Sequence, residues 1–133
     1  QGVVFNARYL DYADIAVTEY WRAVKFRDYA DGAPMEFHVK KATVTWFAPI
    51  KPDEMIAVMA RTIATGRTSM TQLVEIHGLT EDGSDDLRAT VDLVSVHVDL
   101  DEHRPIPLPD WVKDVFTAFD SQATNMPLAQ AEA

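Results

Sequence analysis

The stretch NARYLDYADIAVTEYWRAV, Asn6 to Val24, decides the fold. Ala7, Leu10, Ala13, Ala16 or Val17, Tyr20 and Val24 recur at three to four residues, with Tyr9, Ile15 and Trp21 beside them. That spacing predicts an α-helix. Its apolar stripe is wider than a surface helix needs, which predicts burial on most sides. Asn6 suits the N-cap, because its side chain can accept an amide hydrogen bond two or three residues on. Arg22, Lys25 and Arg27 crowd the far end, where cations suit the helix dipole.

Downstream of the helix the apolar period changes to two. In Phe37 to Phe47, Ala42, Val44 and Trp46 alternate with Lys41, Thr43 and Thr45. Glu54 to Thr65 reads as a strand apolar on both faces, and Gly66-Arg67 as a turn. Thr68 to Leu79 alternates Met70, Val74 and Ile76 with Ser69, Thr71 and Glu75. Asp82-Gly83 is a turn signal. Leu87 to Leu100 is a long strand whose alternation shifts near Leu93-Val94, predicting a bulge or burial on two sides. Pro105, Pro107 and Pro109 stiffen a linker. A short helix then presents Trp111, Val115 and Phe119 on one face, with Pro109 suited to its first turn.

Consecutive strands with short turns imply an antiparallel sheet, hence an α+β fold. A helix apolar on most sides needs a sheet curved around it. One such layer leaves edges and a face uncovered, so self-association is expected. Residues 1–120 read as a single domain, and 121–133 as a polar, alanine-rich tail expected to fray.

Composition narrows the function. The 133 residues are 47% hydrophobic and 25% charged, which excludes disorder of the whole chain. No apolar run reaches the length of a membrane span, so no membrane insertion is expected. No secretory signal pattern opens the sequence, and the expected location is cytoplasmic. With 12 Lys and Arg against 21 Asp and Glu, the net charge is −9, and nucleic acid is not an expected partner. An anionic ligand would need a local basic patch. Without cysteine there is no thiolate nucleophile or thiolate metal site. His38, His77, His97 and His103 lack metal-ligand spacing, so no metal is expected. His77 and His97 lie on strands and read as packing residues. Trp21, Trp46 and Trp111 read as core or interface residues. No G-x-S-x-G, P-loop or dinucleotide fingerprint is present, and no cofactor is expected.

The segment Gly2 to Arg22 resembles the opening of the hotdog-fold acyl-coenzyme A thioesterases, in the hydroxybenzoyl-CoA and Tol–Pal-associated branch. Gly2-Val3-Val4, Tyr9-Leu10, Tyr12, Asp14, Ala16, Thr18 and Glu19 fall in matching places. Gly66-Arg67-Thr68-Ser69 resembles the family's turn before the strand lining the acyl site. Val96-His97-Val98-Asp99 with Arg104-Pro105-Ile106-Pro107-Leu108-Pro109 resembles its ending. Asn6 and Val17 depart from the branch, which often has histidine and arginine there.

The resemblance implies a curved antiparallel sheet wrapped around one long central helix, a short C-terminal helix, and a homodimer or homotetramer. It implies an acyl-CoA substrate, fatty or aromatic, hydrolysed at a site shared between subunits. The Asn6 backbone amide would polarise the thioester carbonyl. Gly2, Val3, Val4, Phe5 and Tyr9 of one subunit, with Arg67, Thr68 and Ser69 of the other, would bind substrate. The attacking carboxylate and the first strand would lie upstream of Gln1. By chemistry alone, Gly2 also reads as a turn, Asn6 as a cap, and Thr68 and Ser69 as polar strand-start residues. Arg67 reads as a solvated turn arginine or a contact for a coenzyme A phosphate. Asp11 and Asp14, neighbours on the helix, read as a solvated face or a carboxylate pair. Glu19 reads the same way. Arg22, Lys25 and Arg27 would attract coenzyme phosphates or only balance the dipole.

Three other readings fit less of the sequence. A non-catalytic hotdog module would bind acyl-CoA or build an assembly. A hotdog dehydratase would need a histidine at the helix start, and none occurs before His38. A cone-shaped α+β pocket protein would carry its helices under one sheet face.

Overall fold

The computed structural model describes residues 7–80 and 86–122, and the backbone of 129–132. Helix α1, Ala7–Val24, is followed by a one-turn helix α2, Phe26–Ala30. Strands β1 (Glu36–Trp46), β2 (Met55–Thr65), β3 (Ser69–Gly78) and β4 (Leu87–Asp99) come next, then the two-residue β5 (Arg104–Pro105). Helix α3, Asp110–Gln122, and strand β6, Ala129–Glu132, complete the order. The antiparallel sheet runs β1-β4-β3-β2-β6, with β5 paired to β4. No helix among the described residues is long and apolar enough to cross a membrane.

The helix packs on one sheet face. Tyr9, Tyr12 with Ala13, Ala16, Tyr20 and Val24, recurring every three or four residues, form its buried stripe. Strand alternation supplies the opposing surface, with Ile56 and Val58 from β2, Val74 and Ile76 from β3, and Ala89 and Val91 from β4. Around the second half of α1, Tyr20, Val24 and Phe26 pack with Met70, Val112 and Phe116. This arrangement corrects the expectation of burial on most sides. Leu10 is 44% and Ile15 55% exposed, because no described element covers that flank.

Other departures have local causes. Lys25 takes a left-handed backbone, φ 62°, which ends α1 and swings Phe26 into the aromatic cluster. Near Leu93-Val94 the β3–β4 register is continuous, and the bulge lies opposite on β1, at Lys40 between Val39 and Lys41. Val96 and His97, adjacent in β4, are both buried, so burial on two sides also disturbs the alternation. The proline segment contributes β5 rather than only a linker. The buried line of α3 is Val112 and Phe116, one residue round from the expected face, with Trp111, Val115 and Phe119 flanking it half-buried. Within the tail expected to fray, β6 pairs with β2.

Candidate active site

The turn into β3 is tied down from both sides. Gly66 N–H donates to Ser69 O at 2.7 Å, closing the turn. His97 N–H donates to Thr68 O at 2.8 Å, and Leu108 N–H to Arg67 O at 2.8 Å. Ile106 N–H donates to His97 O at 2.9 Å, drawing the proline segment against β4. Inside this junction His97 is 6% exposed. Its Nδ1 lies 3.1 Å from Pro107 O, which can only accept, so Nδ1 carries the proton. The Phe37 ring stacks on its imidazole at 5.1 Å. Here the prolines fix the conformation of a strap that fastens Arg67–Ser69.

Thr68 and Ser69 are half-buried and line a cavity of about 390 Å³ together with His38, Lys40, Val94, Val96 and Pro105. Cross-strand pairing accounts for the grouping. Val96 of β4 pairs with His38 on one side and Ser69 on the other, so the three stand in one row. The row lies on the sheet face away from α1. Arg67 is exposed at the turn beside it.

Of the other predicted substrate contacts, Gly2, Val3, Val4, Phe5 and Asn6 lie outside the described residues. Tyr9 is 2% exposed and lines neither this cavity nor the groove described below. Its ring meets Tyr12 and Trp46 edge-on, at 6.3 and 5.9 Å. Burial raises its hydroxyl pKa, against a smaller lowering by a hydrogen bond from the Ile50 backbone. The Tyr12 hydroxyl is buried with no hydrogen-bond partner among the described residues. Asp11 and Asp14 are exposed. Glu19 accepts a hydrogen bond from Arg22 at 2.6 Å. No group of His, Cys, Asp and Glu suited to a metal occurs among the described residues.

A larger groove, about 930 Å³, lies beside the second half of α1, between it, α2 and β1. Trp21, Phe26 and Phe37 give it an aromatic wall, and Arg22, Lys25 and Arg27 its basic rim. Beneath that half of the helix runs a polar chain. Trp21 Nε1 donates to Gln72 Oε1 at 2.9 Å, and Gln72 Nε2 to Thr62 Oγ1 at 3.1 Å. The Tyr20 hydroxyl donates to Asp120 Oδ1 at 2.7 Å and lies 3.0 Å from Thr62 Oγ1. Burial pushes the Tyr20 hydroxyl pKa well up, keeping it a neutral donor. Asp120 Oδ2 accepts from Thr62 N–H at 3.0 Å, beside the β2 register shift at Ile63. Each member is satisfied, which suits a structural network.

Sequence reasoning brought out Thr68 and Ser69 but not His38 and Lys40. The signal was present. Phe37 and Val39 share a face under strict alternation, and so do Ala42, Val44 and Trp46, but the two sets differ in parity. One extra residue must lie between them, and Lys40 is that residue.

The fold and this cavity can be set beside known proteins. A thioesterase from Thermus thermophilus, solved with coenzyme A and zinc, superposes with a TM-score of 0.71 at 24% identity, covering 92% of this chain and 85% of that one. The 1,4-dihydroxy-2-naphthoyl-CoA thioesterase from Synechocystis gives 0.72 at 18% identity, covering 90% and 86%. The 4-hydroxybenzoyl CoA thioesterase from Pseudomonas sp. strain CBS-3 gives 0.70 at 17% identity, covering 86% of each chain. At such identities the likeness shows a shared fold, the hotdog fold. No curated protein matches the sequence. The family model of the thioesterase-like superfamily matches residues 1–116. An antiparallel sheet against one long helix, joined to that match over most of the sequence, places this chain in the thioesterase-like superfamily.

Proposed function

We propose that the protein hydrolyses acyl-coenzyme A thioesters, fatty or aromatic, in a site shared by two copies of the chain. One copy supplies Gly2 to Tyr9, with the Asn6 backbone amide as carbonyl-polarising donor. The other supplies Arg67, Thr68 and Ser69. The attacking carboxylate belongs three residues before Gly2, ahead of Gln1.

The chemistry follows from the parts. The carboxylate attacks the thioester carbonyl or draws a proton from an attacking water. Negative charge then builds on the carbonyl oxygen, and the amides that a helix start leaves without an intrahelical partner are suited to receive it. Collapse expels the coenzyme A thiolate, which takes up a proton. If the carboxylate attacked directly, water opens the resulting anhydride.

The observation that supports this reading is the strapped turn, which holds Thr68 and Ser69 at a cavity beside β1. That strand pairs only with β4 among the described residues, and its other edge is open to a second copy. Mixed subunits test the shared site. Gly2→Val and Ser69→Val are each expected to be inactive against acyl-CoAs. Co-folding the two in equal amounts forms half the dimers with one intact site, returning about a quarter of wild-type activity. Failure to regain activity from confirmed mixed dimers contradicts a shared site. Regulatory partners and cofactors have no part in this reading, and a homotetramer is compatible with it.

A further inference from the structure

We propose that the β1 bulge is a phosphate-binding element. Lys40 and Lys41, with His38 beside them, hold the phosphates of the coenzyme A half of the substrate at the mouth of the Thr68–Ser69 cavity. This rests on the thioesterase reading and names the part of the ligand that this sheet face takes.

The backbone makes the cluster. Phe37 and Val39 pair with His97 and Ser95, on the side of the sheet facing α1. His38 pairs with Val96 on the opposite side. Regular alternation would put Lys40 with His38 and turn Lys41 back toward α1. The extra residue resets the alternation, and Lys41 pairs with Val94, in the row that also holds Thr71. Three basic residues out of four, His38, Lys40 and Lys41, therefore share the outer face, with His38 and Lys40 lining the cavity. A bulge is a way to re-aim a side chain.

The lysine charges are uncommitted. Lys40 and Lys41 are exposed and form no ion pair among the described residues. His38 lies 3.2 Å from Glu36, the acid beside it. Asp92 sits one row further along the face, paired with Thr43. Overall the protein is strongly acidic, with 21 Asp and Glu against 12 Lys and Arg. Its overall field opposes a ligand carrying several phosphate charges, so binding requires a local basic patch. The cavity offers a phosphate partner in Lys40, a point charge on a flexible stem at its rim, and Lys41 stands next to it on the same face. At about 390 Å³ it suits part of such a ligand, with the rest along the seam between copies.

Lysines on an open strand edge have a competing explanation, since they discourage aggregation. That role predicts increased self-association on their removal and no change in ligand affinity. The experiment uses the full chain and three variants, Lys40→Glu, the double variant Lys40→Glu/Lys41→Glu, and Lys113→Glu on α3 as a control for net charge. Coenzyme A is titrated into each by calorimetry, at low and high salt. Turnover is measured with an acyl-CoA and with the matching acyl N-acetylcysteamine thioester, which has no phosphate.

Lys40→Glu is expected to weaken coenzyme A binding by about tenfold or more, and the double variant further. Wild-type affinity should fall with salt more steeply than that of the double variant. KM for the acyl-CoA should rise by a similar factor at near-constant kcat, with the phosphate-free thioester unaffected. Lys113→Glu should match the wild type. Equal weakening by Lys113→Glu overturns the proposal, as does unchanged coenzyme A affinity in the double variant or no binding in the wild type. If coenzyme A binds through these lysines but no thioester is hydrolysed, the phosphate site stands and the hydrolase reading falls. If acyl-CoA is hydrolysed with KM unchanged in the double variant, the reverse holds.

Discussion

The two ends of β4 treat positive charge in opposite ways. At its start Arg88 uses all five N–H donors. Nη1 donates to Pro49 O and Glu54 Oε1 at 2.8 and 2.9 Å, and Nη2 to Glu54 Oε2 and Asp86 Oδ2 at 2.6 and 2.7 Å. Nε donates to Asp86 Oδ1 at 3.0 Å. Toward the other end, Lys40 and Lys41 stand exposed across from Val94 and Ser95 with no carboxylate bonded to them among the described residues. The first cation is spent on holding the loop before β2 against the sheet. The second pair remains available to a ligand. A site can thus be sought among charges that the fold does not consume.

Breaking the spent end should cost most. Arg88→Met leaves Glu54 and Asp86 facing each other partly buried, and stability should fall by about 3 kcal/mol, read by urea denaturation. The acid limb of the stability curve sharpens this. Hydrogen bonds from Arg88 hold both carboxyls below their ordinary values of 4.5 and 3.8. A carboxyl lowered by folding stabilises fully above its unfolded pKa and loses that contribution as pH falls through its folded one. Wild-type stability should therefore drop as pH falls below about 4, and Arg88→Met should flatten that part of the curve. An unchanged slope would remove the electrostatic role assigned to the clamp.

Gly78→Ala strikes the same end through the backbone. A Cβ there would press on Asp86 Oδ2 and Arg88 Nη2, so a loss of about 1–3 kcal/mol is expected, seen as a lower melting temperature. Tyr20→Phe removes one donor to Asp120 but leaves the Thr62 amide bonded to it, for a loss of about 1 kcal/mol by the same measurement. At the open end, Lys40→Ala should leave stability within about 0.5 kcal/mol of wild type. A large loss there would mean that Lys40 belongs to the fold and would erase the contrast.

The contrast also marks how far the sequence could be read. Period-two and period-3.6 patterns locate α1, the four long strands and α3, while the faces they bury follow the pattern less closely, β4 burying adjacent Val96 and His97 and α3 a line one residue round. The one-turn α2 was not legible, since it exists to carry Phe26 into a cluster with Trp21 and Phe116, partners distant in sequence or across a turn. Nor was β6, whose polar, alanine-rich sequence gains its pairing only from β2. Of the site, the Arg67–Ser69 turn was visible locally. For His38 and Lys40 the parity change along β1 marks only the extra residue, and their neighbourhood depends on the register of β1 and β3 against β4. Burial of α1 is overestimated by the sequence because a wide apolar stripe does not say how much of it the sheet will cover, and Leu10 and Ile15 stay exposed.

Release of free thiol tests the central claim most directly. The full chain is incubated with a panel of aromatic and fatty acyl-CoAs, and liberated coenzyme A is followed with a thiol reagent. The account predicts catalytic thiol release from at least one acyl-CoA and its loss in Ser69→Val. No release above the uncatalysed rate from any member of the panel would contradict it.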